Sequence, residues 1–559
     1  MLVSVKSKRG IQQATVMITH QTIFLAFIFI LSSTFTSPIH SLTLSTSSRW
    51  IVSPATGGHR YKLKCINWVG HLHTMVPEGL HKQPLNTIAS AISSMGFNCV
   101  RLTWPTYMFT RPDYSSLTVA QSLDQWRLCG AKAGMARNNP NLLGLRVWEA
   151  QEAVVEGLGA MDIVVVLDNH VSLPKWCCSD YDGNGFFGDE YFDPDEWLQG
   201  LTTVATRYAG NPTVVAMSMR NELRGPRQIP RDWYKYMRQG AEAIHQANPD
   251  VLVIVSGLSY DTNLDFLKYT PLDVNIGNKL VYEAHWYPFG NPTEKWLNQT
   301  NGFCGTVTQK FLAQSGFLGF GPNPVPLFLS EFGLDQTGRN EAQNRYLSCL
   351  LGLVAERDLD WAFWTLQGSY MLREGKVDPE ETYGALTFDW GNVRNPSMLK
   401  RMQLIQQITY DPKSNNPSYQ VMYHPQTGQC VHGNQPPVYL TDCQNWSKWS
   451  YDRDGGPIRL LGSNPSCLSV AGDGFSVGFS DDCSGQQSTW TLVSGSKFHI
   501  AAKDEQGSLL CLDLDSSPSS SGISIVTKKC LCLGNDGKDV PMCDENPQRQ
   551  WFTFITSNT

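Results

Sequence analysis

The sequence predicts an α/β barrel of eight parallel strands followed by a smaller all-β region. Over roughly three quarters of the 559 residues, short apolar runs alternate with longer amphipathic stretches, which is the pattern of parallel βα units. Eight such runs can be counted, and eight parallel strands close a barrel. The C-terminal quarter instead repeats one cysteine-containing plan three times.

The predicted strands cover residues 62–68, 99–103, 162–170, 214–221, 251–256, 280–285, 327–331 and 360–364. Amphipathic helices are predicted at 147–157, 194–208, 231–247 and 341–356. Near residue 410 the chain becomes polar and rich in turn formers, which indicates a domain boundary. We therefore expect a barrel at 50–408, a linker at 409–420 and an all-β domain at 421–556.

Composition excludes several classes of protein. With 41% hydrophobic and 17% charged residues, the chain can bury a large core and is neither disordered nor fibrous. A net charge of -6 provides no basic stripe, so no nucleic-acid partner is expected. No Cys/His cluster has zinc spacing and no glycine-rich phosphate loop precedes a helix, so we expect neither a metal nor a cofactor.

The N-terminus indicates export. Lys6, Lys8 and Arg9 precede an apolar run at 23–31 and a small, polar stretch, which predicts a signal peptide at 1–41. The alternative is an uncleaved membrane anchor, but the run is shorter than the roughly 20 residues that span a bilayer. Fifteen cysteines and two glycosylation acceptors, Asn298 and Asn445, agree with a secreted protein, extracellular or in the cell wall, without stable membrane insertion.

Two glutamates carry the prediction of a site. Glu222 and Glu331 each close an apolar run, and active sites of barrels lie at the carboxyl ends of the strands. A pair of carboxyl groups there is the equipment for breaking a glycosidic bond, with one as acid and the other as anion. Further polar or aromatic residues at predicted strand ends are Arg101, Asn169, His170, Asn221, His285, Tyr287 and Trp364.

Each supporting residue has a possible role in such a site. Arg101 would keep one carboxylate ionised, because a nearby positive charge favours the charged form. Tyr287 could donate a hydrogen bond to the same anion, Asn221 could bind the sugar 2-hydroxyl, and Trp364 could form the floor of the sugar subsite. Taken singly, each residue has a structural alternative as an ion-pair partner, a hydrogen-bonded histidine or a core aromatic. Their order on successive strands favours a site.

In this order the residues resemble glycoside hydrolase family 5, the cellulase-type (β/α)8 TIM barrels, over about 50–408. The matching motifs are Arg101 in Val-Arg-Leu-Thr-Trp, Asp168-Asn169-His170, Asn221-Glu222, His285-Trp286-Tyr287-Pro288, Glu331 and Trp364. The resemblance implies that Glu222 is the acid/base and Glu331 the nucleophile, in a double displacement with carboxyl groups roughly 5 to 5.5 Å apart. One departure is Leu223, where many relatives have proline.

Two stretches, 105–145 and 175–193, are expected to form long loops over the barrel mouth. They contain Trp126, Trp176 and Tyr181, each of which could line a sugar subsite or pack within its loop. The barrel has seven cysteines, so at least one is unpaired. Cys65 and Cys99 lie within predicted strands, and we expect them to be buried free thiols.

The C-terminal repeats consist of two cysteines followed by Trp449, Trp490 or Trp551. Units of about 40 residues repeated three times predict a threefold pseudosymmetric β structure, which resembles the ricin-B β-trefoil. That resemblance implies disulfides within each repeat and a fourth beyond them, namely Cys430–Cys443, Cys467–Cys483, Cys511–Cys530 and Cys532–Cys543. At the family's sugar-binding acid the repeats have His432, Ser469 and Asp513, so Asp513 is the possible lectin site. No tryptophan has glutamine two residues before it, which favours a structural module.

The sequence thus favours a secreted, monomeric retaining glycosidase that cleaves a β-glucan or β-mannan. The alternatives are a transglycosylase on the same substrates and a non-catalytic carbohydrate-binding protein. The expected partners are a polysaccharide or oligosaccharide substrate and, through the trefoil, a cell-wall glycan.

Overall fold

Eight parallel strands close a barrel in the computed structural model, which describes residues 42–433, 437–444, 446–451, 455–462, 466–515, 522–534, 537–541, 543 and 545–559. The proposed signal peptide and the acceptor Asn445 lie outside the described residues. The barrel strands are β1 (Lys64–Trp68), β2 (Cys99–Pro105), β3 (Val164–Val171), β4 (Val214–Ser218), β5 (Leu252–Val255), β6 (Leu280–His285), β7 (Leu327–Phe332) and β8 (Asp360–Phe363). The predicted barrel is confirmed, and β8 pairs with β1 to close it.

Six helices surround this sheet: α1 (Leu85–Ser94), α2 (Val147–Gly159), α3 (Pro194–Arg207), α4 (Pro230–Ala247), α5 (Thr300–Gln314) and α6 (Glu341–Arg357). Further helices are Tyr107–Thr110, Pro112–Ser115, Val119–Gln125, Cys129–Asn138, Thr293–Asn298 and Pro396–Arg401, with 3-10 turns at Pro54–Thr56, Pro140–Leu142, Asp265–Lys268, Gly316–Gly319, Gln486–Ser488 and Pro547–Gln550. Capping side chains fix the N-termini of two of these helices. Asp193 and Asn340 accept hydrogen bonds from backbone N–H groups in the first turns of α3 and α6, respectively. None of the helices within the described ranges has both the length and the hydropathy needed to cross a membrane.

The stretch 105–145 differs from its prediction as a long loop. It contains four short helices, of which Val119–Gln125 begins with a capping box formed by Thr118 and Gln121. Helical periodicity is hard to detect in segments of four to ten residues. The stretch 175–193 has neither helix nor strand, as expected of a loop.

The barrel interior changes from apolar to charged along its axis. At the amino end, Ile51 from a small antiparallel sheet (Ser45–Ser47, Trp50–Ser53 and His59–Arg60) and Leu44, which precedes it, belong to one buried cluster with Val166 and Ile254. Toward the carboxyl end, fully buried charged side chains replace the apolar ones. The charged part of the interior therefore lies toward the carboxyl ends of the strands.

Cys65 and Cys99 form a disulfide, so the prediction of two free thiols is wrong. The two residues are register partners on the adjacent strands β1 and β2, which brings their side chains together. Two further disulfides in the barrel join Cys177 to Cys178 and Cys304 to Cys349. Cys129 is the free cysteine, and it is exposed.

In the described part of the C-terminal region, twelve short strands form an antiparallel sheet structure that is consistent with a β-trefoil. They are Tyr419–His424, Gln429–His432, Tyr439–Thr441, Trp449–Tyr451, Ile458–Leu460, Cys467–Ser469, Gly478–Ser480, Thr491–Leu492, Ile500–Lys503, Leu509–Leu514, Ile523–Lys529 and Thr553–Ser557. A two-stranded ribbon, Leu372–Arg373 with Lys376–Val377, belongs to the barrel half. All four disulfides implied for the C-terminal region are present.

The third repeat departs from the predicted plan. Trp449 and Trp490 lie in the core of the C-terminal region, whereas Trp551 packs into the barrel's hydrophobic cluster and its Nε1 donates to Asn301 Oδ1 at 2.8 Å. Phe552 takes the corresponding place in the C-terminal core, one residue later. The ring of Trp551 therefore serves the interface with the barrel, and Phe552 serves the core of the repeat.

That interface is closely packed at the contacts of Gln548 and Gly305. Gln548 accepts a hydrogen bond from Ser348 and donates one to the backbone oxygen of Arg345, both on α6. At Gly305 in α5, a Cβ atom would lie 2.2 Å from the backbone oxygen of Gly495. Residues 42–559 accordingly form one compact unit.

Candidate active site

The predicted site residues meet at the carboxyl ends of the barrel strands. Arg101 lies on β2, His170 on β3, Glu331 on β7, and His285 is the last residue of β6. Glu222 follows β4 by four positions in a turn where its φ is +43°, and Trp364 directly follows β8. Together with Asn221 and Tyr287, all of these except Arg101 line one cavity of about 980 Å³.

Glu222 and Glu331 face each other across this cavity. One oxygen of each carboxyl group and one ring nitrogen of His285 all lie within 4.8 Å of one another. His285 Nδ1 is 2.9 Å from Glu222 Oε1 and 3.7 Å from Glu331 Oε2. The two acids can therefore contact the same small group from two sides.

Glu331 receives two hydrogen bonds that Glu222 does not share. Arg101 Nη1 donates to Glu331 Oε1 at 2.8 Å, and the Tyr287 hydroxyl donates to Glu331 Oε2 at 2.9 Å. Hydrogen bonds from a cation and a hydroxyl favour the ionised carboxylate. The arrangement thus makes Glu331 the better-stabilised anion of the pair.

Arg101 is fixed by its own surroundings. Its guanidinium is fully buried and contacts Asp168 at 3.0 Å and Glu283 at 3.5 Å, in addition to Glu331. It also donates to the side-chain oxygens of Asn67 and Asn221, each at 3.0 Å. These contacts hold the guanidinium in place and keep it charged.

Burial dominates the electrostatics of the pair. It raises the pKa of Glu222 to about 7, against the opposing effect of Arg224 and Arg101. It likewise raises the pKa of Glu331 to about 7, where His285 and Arg101 oppose the increase and Glu222 adds to it. Burial lowers the pKa of His285, so its ring is neutral near pH 7. Neighbouring acids with raised pKa values hold a proton between them near neutrality.

Comparison with known proteins agrees with this geometry. Residues 64–369 match the cellulase family, glycosyl hydrolase family 5. A glycosyl hydrolase 5 family protein of Chamaecyparis obtusa is 46% identical over 536 residues, which cover 93% of this chain and 94% of that protein. An endoglucanase of Paenibacillus polymyxa is 22% identical over 356 residues, covering 59% of this chain and 79% of that protein.

The chain belongs to glycosyl hydrolase family 5. It is accordingly a glycosidase. The barrel is also similar to a solved endocellulase from Pyrococcus horikoshii, with a TM-score of 0.53 and 20% identity over 66% of this chain and 99% of the other. The catalytic domain of the major endoglucanase from Xanthomonas campestris pv. campestris gives a TM-score of 0.51 at 22% identity, covering 65% of this chain and 98% of that one.

Beside the acids, this family 5 enzyme has an aromatic and sulfur-containing wall. Trp364 stacks on His170 with ring centroids 5.7 Å apart, and His170 stacks on His71 at 4.0 Å. Trp176 and the disulfide pair Cys177–Cys178 border the same cavity. Such a surface suits the apolar faces of sugar rings.

Trp176 is held by a cluster that the sequence did not indicate. Arg373 lies 3.6 Å from the centre of its ring and pairs with Glu381 at 2.9 Å, while Tyr370 donates to the same carboxylate. Of the three loop aromatics, Trp176 borders the cavity. Trp126 instead packs on His73, and Tyr181 is 86% exposed.

Three groups of side chains in the described residues have donor atoms close enough for a metal ion: Glu222 with His285 and Glu331, Asp261 with Glu283 and His285, and His71 with His170 and Cys177. In the last group the sulfur is in a disulfide, which is a poor metal ligand because the thiolate is the binding form. The first group contains the acid pair itself, and the second shares His285 with it.

Asp513 does not resemble an open sugar site. Its carboxylate is 1% exposed, with Arg549 Nε at 2.6 Å from one oxygen and Gln550 Nε2 at 2.8 Å from the other. Gln550 stands two residues before Phe552, the core residue of this repeat. Both carboxylate oxygens therefore already have partners within the protein.

Proposed function

We propose that the protein is a secreted, retaining endo-β-glycosidase that cleaves β-glucan by double displacement. Glu222 protonates the leaving oxygen, and Glu331 attacks the anomeric carbon to form a glycosyl-enzyme. Glu222 then removes a proton from the incoming water, which hydrolyses that ester. The observation that carries this proposal is the approach of the two carboxyl groups within 4.8 Å. Inverting enzymes need roughly 6.5 to 9.5 Å between these groups to admit a water.

The hydrogen bonds support this division of roles. Since Arg101 and Tyr287 both donate to Glu331, the negative charge of the pair is favoured there and the shared proton on Glu222. A nucleophile must be ionised and a general acid protonated at the working pH. The surroundings of the two acids therefore match these two tasks.

The form of the cavity supports an internal cut in a chain. One wall, after β6, includes Phe289, Val307 and Phe311, and the other, after β8, includes Arg373 and Tyr383. Sugar units can thus be contacted on both sides of the acids. For the substrate class, support comes from relatives: the Pyrococcus horikoshii endocellulase has been solved with cellotetraose, and two bacterial relatives are endoglucanases.

Secretion is supported by the N-terminal sequence and by seven disulfides. A relative described as the major extracellular endoglucanase of Xanthomonas campestris pv. campestris is 25% identical over 373 residues.

The test follows the anomeric configuration of the first product by proton NMR during hydrolysis of β-glucan, with β-mannan and xylan as parallel substrates. We expect retention and a preference for glucan. A 2-deoxy-2-fluoro glycoside should label Glu331, as read by peptide mass spectrometry. An inverted first product, or a label on another residue, contradicts the mechanism, and a preference for mannan corrects the substrate alone. Transfer products at high acceptor concentration would instead indicate a transglycosylase.

A further inference from the structure

A further acid, on the loop after β5, lies against Glu222 and His285, and the double displacement assigns it no role. Asp261 is fully buried, and it ends a run of three residues with positive φ: Ser259 at +55°, Tyr260 at +61° and Asp261 at +57°. Residues other than glycine rarely adopt this left-handed backbone conformation, and those that do are concentrated at functional sites. The loop is therefore held in an unfavourable conformation for a reason that its own sequence does not supply.

The first contact of Asp261 is with the backbone of Glu222. The Glu222 N–H donates to Asp261 Oδ2 at 3.1 Å. Glu222 itself has a φ of +43°, so this hydrogen bond joins two turns that are both left-handed. The direction of the Glu222 side chain depends on that turn, and Asp261 fixes it from a different strand end.

The second contact is with the far side of His285. The backbone N–H of His285 donates to the Asp261 carbonyl at 3.0 Å, and its ring Nε2 lies 3.5 Å from Asp261 Oδ2. Nε2 makes no hydrogen bond among the described residues, so an N–H on this nitrogen is available to the Asp261 carboxyl group. The other ring nitrogen, Nδ1, is 2.9 Å from Glu222 Oε1.

These contacts matter because a neutral imidazole carries one N–H. With the proton on Nε2, directed at Asp261, Nδ1 presents a lone pair to Glu222 and can accept the proton of its carboxyl group. With the proton on Nδ1, the ring would donate to Glu222 and favour the carboxylate, which cannot serve as a general acid.

We propose that Asp261 is a positioning residue, which fixes the turn at Glu222 and selects the Nε2–H tautomer of His285 so that Nδ1 accepts the proton of Glu222. This inference rests on the proposed function, since it concerns the acid role of Glu222. Either protonation state of Asp261 leaves Oδ2 able to accept. That is consistent with the burial, Glu283 and Glu222 that raise the pKa of Asp261.

Other groups also act on this trio, and the pH dependence includes them. Those facing Asp261, Glu222 or His285 are Arg101, Asp168, His170, Asp182, Arg224, Tyr260, Glu283, Tyr287 and Glu331. All of them are present in both Asp261 variants, so a difference between the two variants reports the acceptor oxygen.

The direct test is the tautomer of His285 in the full-length protein. Nitrogen NMR of histidine-labelled enzyme, with His285→Gln to assign the signal, should show a protonated Nε2 and an unprotonated Nδ1 at neutral pH. A proton on Nδ1 overturns the proposal. This measurement needs no variant of Asp261 to fold.

The functional test compares Asp261→Asn, which retains an acceptor oxygen, with Asp261→Leu, which does not. We expect Asp261→Asn to keep the wild-type pH profile. In Asp261→Leu the basic limb of kcat/KM should move down by about one pH unit, corresponding to a tenfold weaker hold on the Glu222 proton. Asp360→Leu is the matched control, because Asp360 is equally buried but begins β8 at the opposite end of the barrel. It should lower the melting temperature without moving the profile.

A wild-type profile for Asp261→Leu, or equal defects in both Asp261 variants, contradicts the positioning role. Glu222→Gln separates this failure from a failure of the proposed function. If Glu222→Gln is inactive while Asp261→Leu keeps the wild-type profile, only the inference falls. An active Glu222→Gln removes the acid role and the inference with it.

Discussion

Both halves of the molecule bury an acid against an arginine, but the acid of the barrel lines a cavity, whereas protein groups cover both oxygens of the acid in the C-terminal region. In the barrel, Glu331 contacts Arg101 at 2.8 Å and lines a cavity of about 980 Å³. In the C-terminal region, Asp513 contacts Arg549 at 2.6 Å, and Gln550 covers its other oxygen. An acid–arginine pair alone therefore does not identify a site. Space for a ligand beside the carboxylate distinguishes a candidate catalytic pair from a structural one.

The number of acids also differs between the two places. Arg101 is in contact with Asp168 and Glu283 as well as with Glu331, and Glu222 lies close by. One guanidinium thus faces an excess of carboxyl groups, which favours a retained proton and the positive charge that develops on a sugar during glycosidic cleavage.

The sharpest way to break this comparison is the same isosteric change in both acids. Glu331→Gln removes the nucleophile, and we expect kcat on β-glucan to fall on the order of 10⁴-fold or more. Asp513→Asn, which also exchanges a buried carboxylate for an amide, should leave kcat unchanged. Initial-rate measurements on the two purified variants decide the matter. Substantial activity in Glu331→Gln would contradict the catalytic role of Glu331.

The next largest effect should come from the ring that links the two halves. Trp551 is fully buried, and Trp551→Ala should lower the free energy of unfolding by about 3–5 kcal/mol. Chemical denaturation followed by both fluorescence and activity would measure it. We expect the two signals to shift together, since the ring packs in the barrel's cluster. Trp126→Ala, at a ring 43% exposed, is the control and should cost much less. An unchanged activity transition in Trp551→Ala would show that the barrel does not depend on this contact.

The raised pKa values predict a pH dependence of stability. Folding raises the pKa of Glu222 to about 7, so the folded protein binds this proton more tightly than the unfolded chain does. The contribution of Glu222 to stability is therefore largest in acid and is lost as the pH rises to 7 and above. Glu222→Gln, which cannot ionise, should be more stable than wild type at pH 8 by about 1–3 kcal/mol and similar to it near pH 4. Thermal melts at the two pH values test the sign, and the opposite order would mean that the acid is stabilised as an anion.

The smallest effect is expected for Asp513, the acid of the C-terminal region. Because both oxygens of Asp513 have partners within the protein, Asp513→Ala should not change the affinity of the full chain for insoluble glycan. Depletion assays on the background of inactive Glu331→Gln would measure this without hydrolysis. A clear loss of binding would show that a sugar displaces Arg549 or Gln550 and that Asp513 binds the sugar.

The sequence was most informative where a signal lies within one element. The eight strands could be predicted because each is a short apolar run, and the glutamates stood out because a carboxylate at the end of such a run has no packing role. The pairing of Cys65 with Cys99 could not be predicted in this way, since it depends on the register between two strands. Asp261 was missed for a similar reason: its partners Glu222 and His285 come from other strand ends, and nothing near it in sequence indicates them.

The C-terminal region shows the same limit. Spacing of cysteines within one repeat was enough to pair them, but the choice between Trp551 and Phe552 is made by the barrel surface. That surface supplies Asn301 as a partner for the indole N–H, so the larger ring turns outward from its own repeat. A pattern within one domain does not contain information about its neighbour.

The close approach of Gly305 to Gly495 has a practical consequence for protein engineering. Grafting the C-terminal region onto another family 5 barrel would require a recipient with glycine at that point of α5 and with the α6 surface that holds Gln548. The segment that must be transferred is therefore larger than the β region alone. An exchange at residue 409 would supply only one side of this interface.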